Sequence, residues 1–134
     1  MWKNLSNYRD AALLFFRVTF GLEYIYVHGW PKLAGGISRW KEVGHAMKFV
    51  HIHFWFGFWG FMAAFSETIG MGLLLLGLAF RPSCVLLVIT MTMAAISDYH
   101  TKGGLGAASH ALELCLLFIA LIFIGPGKYS VDQG

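Results

Sequence analysis

Four long apolar runs dominate the 134-residue sequence, and they limit what this chain can fold into. They cover residues 10–28, 54–79, 82–99 and 106–125, with turn signals such as the Gly-Pro-Gly at 125–127 between or after them. A helix of about 20 apolar residues crosses the hydrocarbon core of a bilayer. Only 13% of the residues are charged, against roughly 25% in soluble domains. The pattern predicts an all-α, integral membrane four-helix bundle.

The longest connection lies between the first two runs and has a helical pattern of its own. Its apolar residues recur at helical spacing, at Ile37, Trp40, Val43, Met47 and Val50. This spacing predicts an amphipathic helix that lies on the membrane surface. Four spans put both termini on one side, here called side A, and this loop on the opposite side B. The short length predicts a single domain over residues 1–134, and basic residues divide too evenly between the sides to orient it.

Charged residues inside the apolar runs are the second constraint. The stretch "AALLFFRVTFGLEYIYVHGWPK" contains Arg17 and Glu23, and a charge at the bilayer centre costs roughly 2.5–3.5 kcal/mol on insertion scales. Counting residues from the side A helix ends places Glu23, Glu67 and Glu113 in one layer near mid-membrane. Arg17 lies roughly 8 Å nearer side A, within reach of that layer. We therefore expect Arg17 to pair with Glu67, Glu113 or both.

Further polar residues extend this layer towards side B. The first helix carries a stripe of Arg17, Gly21, Tyr24 and His28 at spacings of three and four, which predicts that this stripe faces the bundle interior. The candidate polar core is Arg17, Glu23, Tyr24, Glu67, His110 and Glu113, and the candidate cavity mouth is His28, Lys32, Asp98 and His100.

Three acids against one arginine predict that one acid holds a proton, or that a histidine or ligand balances it. Two interpretations remain open. The charges form a ligand or proton site, or they form a structural network that fixes helix register.

Other site classes find less support. Di-iron bundles use two Glu-x-x-His pairs, whereas this chain has one reversed pair, His110 and Glu113, so no metal site is predicted. Cys84 and Cys115 lie at different predicted depths and are not expected to form a disulfide. No basic run or nucleic-acid motif occurs, so no nucleic-acid partner is predicted.

The ordered motifs resemble one family over nearly the whole chain. The segments are "FFRVTFGLEYIYVHGWPKL", "ETIGMGLLLLGLAFRPS", "SDYHTKGG" and "ALELCLLFIALIFIGPGKYSVD". Together they resemble the DoxX family of small four-helix membrane proteins, with His28, Gly29 and Lys32 at the exit of the first helix and Glu67 in the acid position. The stretch "HIHFWFGFW" is not a feature of that resemblance.

The resemblance implies a redox setting, because the family includes subunits of a quinol oxidase and of a thiosulfate:quinone oxidoreductase. It implies a membrane subunit of a quinone-linked oxidoreductase or redox-stress complex, in a prokaryotic inner membrane, with the polar core as quinone or proton site. Quinone is a compatible cofactor. Whether the chain is itself an enzyme stays open, since these side chains cannot store electrons.

The expected partners are membrane lipid and either a protein that supplies electrons or further copies of the chain. The alternative is a non-catalytic membrane scaffold or assembly partner whose charges are structural.

Overall fold

A computed structural model describes residues 2–131, and this part of the chain is helical with no strand. A 3-10 segment, Trp2–Tyr8, precedes the first α-helix. The α-helices are α1 Arg9–Tyr24, α2 Trp30–Ala34, α3 Gly36–Gly44, α4 Phe56–Phe65, α5 Met71–Leu76, α6 Phe80–Lys102 and α7 Leu105–Ile124. Two π-helical turns, Ile25–Gly29 and Ser66–Gly70, join α1 to α2 and α4 to α5. A 3-10 segment, His45–Val50, follows α3.

Three helices are long and apolar enough to cross a membrane. They are Phe56–Leu76, which includes α4, its π-turn and α5, then Phe80–Lys102 and Leu105–Ile124. The path from α1 through α2 is also continuously helical, because the residues that join its parts keep right-handed helical dihedrals. The fold is thus an all-helical, multi-pass membrane protein, as predicted.

The first helical path runs antiparallel to the second. A Cβ added to Gly21 would lie 3.0 Å from the Cβ of Leu75, and one added to Gly29 would lie 3.1 Å from the carbonyl oxygen of Glu67. The helices approach this closely because glycine puts no side chain between them. The predicted interior stripe of α1 is confirmed, since Arg17, Gly21 and Tyr24 are buried.

The predicted amphipathic segment is helical in α3, but it packs directly along the start of α4. A Cβ on Gly60 would lie 1.5 Å from the carbonyl oxygen of Trp40, and one on Gly44 would lie 1.7 Å from that of Phe56. These distances mean that the two backbones are in contact, and the order of the pairs makes the helices antiparallel. The segment is therefore a packed element of the bundle.

The side A end is closed by residues 125–131, here called the C-terminal strap. The amide of Lys128 donates to Asp10 Oδ1 over 3.3 Å, and the amide of Val131 donates to the carbonyl of Leu76 over 3.3 Å. The beginning of α1 and the strap therefore meet on one side, as expected. Cys84 and Cys115 are both free and buried, which confirms that they do not form a disulfide.

Candidate functional site around Glu67

Two irregular turns pack against each other at the centre of the molecule. They are the π-turns Ile25–Gly29 and Ser66–Gly70. A Cβ on Gly29 would lie only 2.9 Å from Thr68 Oγ1, so the contact requires glycine there. Single π-turns inside α-helices are rare and occur frequently at functional sites. Here one turn carries Glu67 and the other carries His28.

Glu67 is the buried acid of the described structure, with 1% of its surface exposed. Its Oε2 accepts a hydrogen bond from Lys32 Nζ over 2.7 Å, and its Oε1 accepts one from Tyr24 Oη over 3.1 Å. The Lys32 side chain is 24% exposed, whereas that of Glu67 is 2% exposed. In this ion pair the Glu67 carboxylate is buried, whereas the Lys32 side chain is partly exposed at the surface of the bundle.

A row of polar rings leads away from this carboxylate. The ring centroids of Tyr24 and His28 lie 4.8 Å apart, and those of His28 and His110 lie 5.7 Å apart. Tyr24 is buried, His28 is half-buried and His110 is exposed. The row thus connects the interior carboxylate to the outside of the bundle.

One polar atom beside Glu67 has no partner. Thr68 Oγ1 is buried and makes no hydrogen bond within residues 2–131. A buried hydroxyl without a partner costs about 1–3 kcal/mol, and this one packs against Gly29 of the facing π-turn. Tyr24, His28, Lys32, Glu67, Thr68 and His110 are called the Glu67 site below.

The predicted ion pair of Arg17 with Glu67 or Glu113 is wrong. Arg17 is 1% exposed, and its Nη2 donates to the carbonyl oxygen of Tyr129 in the C-terminal strap. Its guanidinium packs on Gly77, where it would lie 2.2 Å from an added Cβ. The side chain extends towards side A, away from the acids, because the strap offers it a backbone acceptor there.

Glu23 and Glu113 are not part of a buried core either, since both are exposed. The prediction rested on depth along the membrane normal, which says nothing about the face of the helix. On α1, Glu23 is not part of the buried stripe formed by Arg17, Gly21 and Tyr24. On α7 the buried face is Ala108, Ala111, Cys115, Phe118 and Leu121, so Glu113 turns outward.

The predicted cavity mouth also separates into two groups. Asp98 pairs with Lys102 on its own helix over 3.4 Å, and His100 stacks on Phe49 with ring centroids 4.7 Å apart. Neither contacts Glu67, because local partners on the end of α6 and the segment after α3 hold them. His28 and Lys32 belong to the Glu67 site.

The Lys32–Glu67 pair is the contact that the sequence analysis missed, although a signal was present. Tyr24, His28 and Lys32 follow one another at intervals of four and so continue the interior stripe of the first helix. Within residues 2–131, no group of three or more His, Cys, Asp or Glu residues is arranged to hold a metal ion.

The fold and this site define a class: a small, multi-pass helical membrane protein with a buried, paired carboxylate between two π-turns. Comparison with known families assigns the chain more closely. The DoxX family profile matches residues 12–100, more than half of the sequence, and the chain belongs to the DoxX family. The match includes Tyr24, His28, Lys32 and Glu67. Neither a curated protein sequence nor a solved structure matches the chain significantly.

Proposed function

We propose that this protein is the membrane subunit of a quinone-linked oxidoreductase or redox-stress complex, and that the Glu67 site binds the quinone head or carries its protons. The observation that carries the proposal is a buried carboxylate, held between Tyr24 and Lys32, beside the unpartnered hydroxyl of Thr68. Buried ionisable residues within membrane-spanning segments mark ligand and proton pathways more often than not.

The chemistry of the site suits a quinone carbonyl. The hydroxyl of Thr68 and the remaining N–H groups of Lys32 are donors for a carbonyl oxygen, Tyr24 donates its one proton to Glu67, and Glu67 can accept or release a proton. The ring row through His28 to His110 gives protons a route between this carboxylate and the exterior. Reduction of a quinone to a quinol takes two electrons and two protons, and the site supplies only the protons. The electrons come from a partner protein.

The finer topology belongs to the same proposal. The first helical path, Arg9 to Ala34, is a fourth span, and the whole chain 1–134 is one domain in a prokaryotic inner membrane. What supports a fourth span is its antiparallel packing along the second helix, at Gly21 and Gly29. Two of its charged residues have partners, since Arg17 Nη2 donates to the strap and Lys32 pairs with Glu67.

A second candidate function is a non-catalytic scaffold whose charges lock the helices together. The observation that favours it is the pairing of Glu67: each carboxylate oxygen already has one donor. A satisfied buried ion pair fixes helix register without any ligand. On this reading the site has a structural role and binds no quinone.

Direct quinone binding tests the proposal. The purified protein in lipid nanodiscs is titrated with a short-tailed benzoquinone and a short-tailed naphthoquinone, and tryptophan quenching reports binding. We expect saturable binding, with Tyr24→Phe and Glu67→Gln each weakening it by about tenfold, the value of one buried hydrogen bond to a charged group. Glu42→Gln, a change at an exposed acid outside the candidate spans, is the matched control.

The two functions give different results. If neither quinone binds saturably, or if Glu67→Gln and Glu42→Gln bind it equally well, the quinone proposal fails. A scaffold predicts instead that Glu67→Gln lowers the unfolding temperature while leaving quinone quenching at the level of empty nanodiscs plus quinone.

A further inference from the structure

The two outward-facing acids, Glu23 and Glu113, lie beside the seam between α1 and α7. Two ring pairs define this seam: Phe20 with Phe118 at 6.2 Å between centroids, and His28 with His110 at 5.7 Å. As the residue number rises on α1 it falls on α7, so the helices are antiparallel. Position 24 is therefore opposite position 114.

Glu23 and Glu113 each precede one of these facing positions by one residue. A step of one residue turns about 100° around an α-helix, and the turn runs in opposite senses on antiparallel neighbours. Both acids therefore point to the same side of the seam. That side is the exterior, since both acids are exposed while Gly21 and Cys115, on the opposite side, are buried.

Both acids also lie near the middle of their helical paths. Glu113 is near the middle of α7, which is one of the candidate spans, and the seam pairing puts Glu23 within roughly two residues, about 3 Å, of the same level. Around them the exterior is apolar, with Leu116 60% exposed and Val27 48% exposed. Carboxylates facing lipid at this depth are costly.

The lysines and arginines of a second copy are not placed to neutralise these acids. Arg17 is buried against the strap, and Lys32 is bound to Glu67. Arg81 and Lys102 lie in the first and last turns of α6, near the membrane faces. Within residues 2–131, no other lysine or arginine lies in a candidate span, so a second copy would offer these acids its own acids and the exposed His110 but no permanent cation.

We infer that the outer face of the α1–α7 seam docks a membrane-spanning helix of a partner protein, and that this helix carries a lysine or arginine near its midpoint. Charge complementarity carries the inference. Two acids at one depth on an apolar face favour a cation at that depth, and polar contacts between helices strengthen association in lipid. Glu23 and Glu113 are not members of the Glu67 site, although the seam beside them includes its His28 and His110, and the inference does not depend on the function of that site.

A designed peptide tests this surface. The full-length protein in nanodiscs is mixed with a fluorescent peptide of about 20 leucine and alanine residues carrying one central lysine. A peptide with leucine at that position is the control, and energy transfer measures association. We expect the lysine peptide to bind the native chain at least about tenfold more tightly than it binds Glu23→Gln/Glu113→Gln. Glu42→Gln should leave its affinity unchanged.

Equal affinity for the lysine and leucine peptides would overturn the inference, as would full affinity in the double variant. If the double variant unfolds, Glu113→Gln and Glu23→Gln are measured singly, each with an expected loss of at least about threefold.

In the native membrane, a photocrosslinker at Leu116 should attach to a protein with a basic residue inside a span. Attachment to a second copy of this chain, or to a protein without such a residue, would contradict the inference.

Discussion

Replacing Lys32 by methionine should destabilise the protein severely, because it leaves the Glu67 carboxylate buried without its cation. The side chain of Glu67 is 2% exposed and its Oε2 has Lys32 Nζ at 2.7 Å. Breaking a buried ion pair by removing one partner costs about 3–5 kcal/mol. Tyr24, at 3.1 Å from the other oxygen, supplies one hydrogen bond but no charge. We expect a loss in this range.

The reverse change should cost less. In Glu67→Gln the amide keeps a hydrogen-bonding oxygen, and Lys32, whose side chain is 24% exposed, can turn towards solvent. The expected loss is about 1–3 kcal/mol. Removing both charges with Lys32→Met/Glu67→Leu should recover most of the stability of the native chain, since apolar replacement of a buried pair is often neutral.

Reversible unfolding in mixed micelles, followed by tryptophan fluorescence, measures these free energies. The chain provides a matched control in the Arg39–Glu42 pair, which has nearly the same length, 2.8 Å, but side chains that are 41% and 70% exposed. Arg39→Gln should cost about 0–1 kcal/mol. The reasoning is refuted if Lys32→Met costs no more than Arg39→Gln, or if the double variant is less stable than Lys32→Met alone.

Two further predictions concern helix contacts and the strap. Gly60→Ala should destabilise the protein by at least about 2 kcal/mol, because the new Cβ meets a carbonyl oxygen at 1.5 Å. Gly72→Ala, with nothing within 4 Å, should be neutral or stabilise by about 0.5–1 kcal/mol; equal unfolding free energies would contradict the packing of α3 on α4. Arg17→Met removes the donor to Tyr129, so hydrogen exchange at the Val131 amide should become at least about tenfold faster. Unchanged exchange there would show that the strap is held without Arg17.

The depth and the direction of the charged residues were each predictable from the sequence only in part. Glu67 packs beside Gly29, six residues beyond Glu23 on the first helical path, so it lies roughly 9 Å nearer side B than Glu23 and the three acids do not share one layer. Counting along apolar runs needs only the constant rise of a helix. The face of the helix on which a charged residue lies is harder to predict, because it depends on which stripe of side chains packs inward. On α1 the polar stripe through Tyr24 is the buried one, whereas on α7 the buried stripe is non-polar and begins with the small residues Ala108 and Ala111.

The positions of polar residues therefore predicted the buried face of α1 correctly and the buried face of α7 wrongly. In a membrane, small residues also mark close helix contact, and applying that rule to Ala108 and Ala111 places Glu113 on the outside. The strap could not have been predicted from its own sequence, because its contacts with Arg17 and Leu76 join parts of the chain more than 50 residues apart.

Because the two π-turns pack on each other, the fold depends on the number of residues in each turn as well as on which residues they are. Inserting or deleting one residue within Ile25–Gly29 or Ser66–Gly70 would rotate everything beyond it by about 100°, so Lys32 would miss Glu67 even with every side chain retained. The connection at residues 51–55, between the 3-10 segment and α4, lies outside the helices. A change of its length therefore does not rotate the residues of a helix away from their partners. Among related chains, changes of length should therefore collect in that connection and be absent from both turns.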